Sequence, residues 1–155
     1  MGFARRVCNT NAKLATKKEI LMQSLFELRT KLTVDMSVFE QMKKTAETEL
    51  YKAETGLYTQ AVVFLSAKGN EYSTLIKNAL SEEKTDEIAL LERMKTSNDT
   101  EIRCALCLWQ DGGIDIPSYW FRKSLCTLDP KNTETLLFVM TADGIGGIKV
   151  STTMK

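Results

Sequence analysis

MSVFEQMKKTAETELYKAETGLYTQAVVFLSAK, residues 36–68, is the stretch on which the reading of the fold turns. Its apolar positions Phe39, Met42, Ala46, Leu50, Ala53, Leu57, Ala61 and Phe64 recur at steps of three and four. The mean step of about 3.6 lies at or just above the coiled-coil period, so the stretch reads as one amphipathic helix. Glu40, Lys43, Lys44, Glu47, Glu49, Lys52 and Glu54 fall on the opposite, solvated faces. Asp35 or Ser37 offers an N-cap and Lys68-Gly69 a stop. At 1.5 Å per residue such a helix is about 50 Å long. A competing reading interrupts it at Gly56, because Thr59–Ser66 (TQAVVFLS) has a β-type composition. The unbroken phase through Leu57, Ala61 and Phe64 favours the helix.

Upstream, Thr16 and Glu19 spell a capping box, and Leu21, Leu25, Leu28 and Leu32 predict a helix of about 16 residues. Downstream, short helices are expected across residues 70–127. One covers Asn70–Leu80; one opens at Thr85 or Asp86, with Ile88, Leu91 and Met94 facing inward. Another runs from Asn98 or Asp99 through Ile102, Ala105, Leu106 and Trp109 to Gly112-Gly113. The last covers Ser118–Leu125 behind Pro117. Over 135–153 the period changes: Thr135–Thr141 and Gly147–Thr153 flank Ala142–Gly146, a β-hairpin pattern. The expected fold is mainly α, a helical bundle built around one long amphipathic, coiled-coil-like helix, with a small C-terminal β-hairpin. The alternative is α+β with a three-stranded sheet. The expected organisation is a basic N-terminal arm over residues 1–15 and a single mainly helical domain over 16–155.

The chain has 155 residues, 43% apolar and 26% charged, enough to bury a core without disulfides or metal. It contains no long charge-free apolar run, so no transmembrane segment is expected. The net charge is +1, which argues against bulk nucleic-acid condensation. Charge is unevenly laid out: Arg5, Arg6, Lys13, Lys17 and Lys18 make an acid-free N-terminus, while residues 82–101 are acidic. That arm is the candidate for weak nucleic-acid contact. It lacks a secretory h-region, so an intracellular, reducing compartment is expected; its transit-like composition makes an organelle matrix the alternative.

Histidine is absent, which removes the commonest acid–base catalyst and metal ligand. Cys104-Ala-Leu-Cys107, with Cys126 and Cys8, is a weak metal candidate, lacking a second CxxC or a histidine pair. Core thiols are the preferred reading, and no cofactor is expected. Glu82, Glu83, Asp86 and Glu87 read as a solvated helix start. Asp143-Gly-Ile-Gly-Gly147 reads as a hairpin tip rather than a phosphate cradle, because a strand follows it. Leu50, Leu57 and Phe64 on the long helix, and the adjacent aromatics Tyr119, Trp120 and Phe121, are candidates for a partner surface. The expected function is therefore a non-enzymatic helical interaction subunit, scaffold or adaptor of a larger assembly, joined to a protein partner or a second copy through the long helix. The alternative is a small RNA- or DNA-binding protein that uses the basic arm.

Overall fold

The computed structural model describes residues 32–52, 56 and 58–154 and splits the 36–68 stretch into two elements of different kind. Helix α1 covers Met36–Leu50, capped by the Asp35 carboxylate, which accepts from the amides of Ser37 and Val38. The first half of the apolar stripe forms as read, with Phe39, Met42 and Ala46 buried on one side. The second half is strand β1, Gln60–Ser66, every residue of which is buried. Lys68-Gly69 is not a helix stop. Gly69, at φ +90°, sits in the turn to strand β2, Glu71–Ile76.

The expected helical bundle is thus overturned in favour of α+β. Among the described residues there is one six-stranded mixed sheet with four helices. Helix α2 covers Thr85–Thr96, strand β3 Ile102–Trp109 and strand β4 Ile114–Asp115. Helix α3 covers Tyr119–Leu128, and a 3-10 turn occupies Pro130–Glu134. Strands β5 and β6 span Leu136–Thr141 and Gly144–Lys149, before the short α4, Val150–Thr153. The segments 70–80 and 98–109, expected as helices, hold β2 and β3. A C-terminal hairpin is present as β5–β6, but its turn is Ala142-Asp143 and its second strand starts at Gly144, inside the expected tip. The expected strand residues 150–153 are helical. The hairpin also extends the common sheet rather than standing beside a bundle.

The strand order is β2-β1-β3-β5-β6, with β4 on β3. β1 is antiparallel to both β2 and β3, so β2 and β3 run the same way; β3 and β5 are parallel. Parallel strands need a crossover, and α2 and α3 supply the two. Both crossovers move in one direction across the sheet, and with a common hand they place both helices on one face. The cores agree. Val62, Phe64, Ala105 and Cys107 meet Leu90, Met94, Phe121 and Leu125 on that face. Ala61, Val63, Cys104 and Leu106 meet Phe39, Met42 and Ala46 of α1 on the other. Edge-on ring pairs mark the two layers: Phe64–Phe121 at 5.2 Å and Phe39–Phe138 at 5.3 Å. Among the described residues no helix is long and apolar enough to cross a membrane.

Candidate functional site

Two parallel crossovers have a geometric consequence. Each helix must carry the chain back from the C-terminal end of one strand to the start of the next. α2 and α3 therefore begin at the same pole of the sheet, beyond Ile76 of β2 and Trp109 of β3. In open sheets ligands collect at the carboxyl ends of parallel strands, and helix N-termini bring positive dipole ends there. Three polar residues define this pole.

Glu87 lies in the first turn of α2 and is 3% exposed. It shares the sheet-facing side with Leu90, Leu91 and Met94, and a helical Cβ tilts toward the N-terminus, so the carboxyl leans to the pole. Its nearest cation, the Lys84 ammonium, is 3.9 Å away. Among the described residues no other side chain hydrogen-bonds it. Burial pushes its carboxyl above the usual glutamate range, against the pull of its own backbone amide and of Lys84. The expectation of a solvated acidic face holds for Glu82 and Glu83, which are exposed, and fails for Glu87.

Gln60 opens β1, paired with Ile76 on one side and Trp109 on the other. Alternation with Val62 and Phe64 points its side chain to the α2–α3 face, and it is 5% exposed. Its amide makes no side-chain hydrogen bond among the described residues. Ser118 caps α3: its hydroxyl accepts from the Phe121 amide at 3.2 Å. Behind it, Arg122 donates from Nε to the Pro117 carbonyl at 2.9 Å and from Nη1 to the Thr153 carbonyl at 3.1 Å, tying the start of α3 to α4. The Trp109 indole donates to Asp115 at 3.2 Å at the same end of the sheet.

The residues singled out in the sequence are scattered. Phe64 and Phe121 are core partners, and Leu50 is half-buried against the α1 layer. Tyr119 is exposed under the Arg122 guanidinium, 5.8 Å from the ring centre. Trp120 lines an open groove of about 560 Å³ between α2 and α3, with Ile88, Leu91, Lys95 and Lys123. Leu57, Cys8 and the arm residues Arg5, Arg6, Lys13, Lys17 and Lys18 lie outside the described residues, as does nearly all of the helix expected from residue 16. Cys104 and Cys107 stand on opposite faces of β3, one in each core layer, and Cys126 is half-buried on α3. Burial raises the Cys104 thiol to about 11 and pushes that of Cys107 higher still. Neither is a thiolate at neutral pH. Glu87 and Gln60 are what sequence reasoning missed. The available signal was their position at the starts of α2 and β1, once β1 is recognised as a strand.

No known family's model matches the chain, and no curated protein resembles it in sequence. Solved structures do resemble it in fold. The cytidine deaminase of Mycobacterium leprae is similar at a TM-score of 0.52 and 14% identity, over 75% of this chain and 96% of that one. The cytidine deaminase of Mycobacterium tuberculosis is similar at 0.54 and 12%, over 78% of this chain and 94% of that one. At such identities the likeness is one of fold. It overturns the non-enzymatic helical scaffold: the architecture is one that enzymes use, and the long helix on which the scaffold rested does not exist as one element.

Proposed function

We propose that the pole between α2 and α3 takes a nucleoside whose base carries an amino group beside a ring nitrogen, as cytosine does, and that Glu87 exchanges a proton with that base. The observation that carries this reading is Glu87 itself, a carboxyl withdrawn from water at the end of the sheet where the two crossover helices begin. A glutamate accepts from an exocyclic amino group and, when protonated, donates to the neighbouring ring nitrogen. Its raised pKa keeps the proton available nearer neutrality than a solvated glutamate does. Gln60 adds an amide donor and acceptor on the same face. The likeness of fold to cytidine deaminases supports the choice of base. We also propose an intracellular, reducing compartment; the free thiols Cys104, Cys107 and Cys126 support it.

Thermal unfolding with added nucleosides tests the reading. Cytidine at about 100 times its Kd adds about 2.7 kcal/mol, a rise of about 5–10 °C in Tm for a domain of this size. Uridine, which reverses donor and acceptor at both edge positions, gives a much smaller rise. Glu87→Ala abolishes the cytidine effect. A Tm indifferent to cytidine, or a shift that survives Glu87→Ala, overturns the proposal.

A further inference from the structure

The starts of α2 and α3 share this pole, and the donors they bring there are the wrong ones for a metal site. Zinc-dependent base deaminases hold the ion with a histidine or cysteine two residues before a glutamate, and with both cysteines of a P-C-x-x-C at the next helix start. Two buried anchors set the register in this chain: Glu87 in the first turn of α2 and Pro117 just before the cap of α3. Counting from them, the three ligand positions hold Thr85, Ser118 and Phe121. None is a thiol or an imidazole, the donors zinc prefers.

Two of the three have other work in this fold. Thr85 opens α2 and is exposed. The Ser118 hydroxyl is occupied as the cap of α3. The Phe121 ring is 1% exposed and packs edge-on against Phe64. Among the described residues the other thiols cannot substitute. Cys104 and Cys107 point to opposite faces of β3. Cys126 is five residues past Phe121, about 7.5 Å farther along the helix axis. The chain has no histidine, and among the described residues no three His, Cys, Asp or Glu side chains gather as a set that could hold an ion.

We infer that this chain keeps the backbone of a deaminase-type zinc site and carries non-ligands at its three donor positions, Thr85, Ser118 and Phe121, so that the pole holds no resident metal. This inference stands on geometry and donor chemistry and does not require the nucleoside reading. Metal binding is therefore the readout, with no nucleoside present.

Wild-type protein purified without chelators carries well under one zinc per chain. The variant Thr85→Cys/Ser118→Cys/Phe121→Cys takes up one zinc per chain, and cobalt in its place gives thiolate charge-transfer bands with the intense visible absorption of a tetrahedral site. Circular dichroism confirms that the variant is folded. Should losing the Phe121 ring unfold it, Thr85→Cys/Ser118→Cys keeps the ring, and cobalt still gives thiolate charge-transfer bands. Stoichiometric zinc in the wild type overturns the inference, because the ligands would then lie elsewhere. A folded variant, triple or double, that binds no more cobalt than the wild type also overturns it, because positions 85 and 118 would not converge.

Discussion

The Cys104–Cys107 spacing offers a direct test of the strand register. If the pair shared an ion or a redox bond, replacing either thiol would destroy the arrangement and the second replacement would add little. In this fold they cannot cooperate. Three residues along a strand separate their Cα atoms by about 10 Å and turn the side chains to opposite faces. Cys104 lies in the α1 layer with its Sγ 3.6 Å from the Met42 sulfur. Cys107 lies in the α2–α3 layer, opposite Val62. A serine at either site buries a hydroxyl in an apolar layer, which costs about 1–3 kcal/mol each, and about 2–6 kcal/mol for both. Sites with no shared partners add within about 0.5 kcal/mol. Urea unfolding of wild type, Cys104→Ser, Cys107→Ser and the double variant closes the cycle. A coupling energy of several kcal/mol, or a coupling that a chelator removes, refutes the assignment of the two thiols to separate layers.

Two further outcomes follow from buried polar groups. Asn132 is fully buried, accepts from the Ile102 amide at 2.8 Å and donates to the Thr100 and Leu125 carbonyls at 2.9 Å each. Asn132→Ala strands all three groups and should cost about 3–5 kcal/mol in urea unfolding; a loss below about 1 kcal/mol would show that this tie between β3 and α3 is not made. Glu87 holds its proton to a higher pH folded than unfolded, so the native state binds more protons and stability falls as pH rises from the usual glutamate range through the folded value. Glu87→Gln lacks that loss and should gain on the wild type as pH rises above about 4, read from urea midpoints. A gap that stays constant with pH would mean that Glu87 is not desolvated.

What the sequence determined by itself lies where an element shows one face to solvent. The α1 stripe Phe39–Met42–Ala46 and the Asp35 cap are legible because α1 covers the sheet from outside. The start of α3 is legible through its Ser118 cap, that of α2 through the onset of its apolar period, and the existence though not the register of the β5–β6 hairpin through the change to period two. The central strands are not. β1 and β3 are covered on both faces, so alternation is erased, and a run such as Ala-Val-Val-Phe-Leu satisfies a 3.6 period as readily as a period of two. The phase through Ala61 and Phe64 was therefore no argument for helix. Adjacent Val62 and Val63 in a run of only seven residues were the signal for strand. The site shows the same division. One carboxylate among four at a helix start reads as solvated, and the only local mark on Glu87 is its phase, three, four and seven residues before Leu90, Leu91 and Met94. Only the tertiary structure decides. Two parallel crossovers bring the starts of α2 and α3 to one end of the sheet, and the packing of α2 against that sheet turns Glu87 alone out of water.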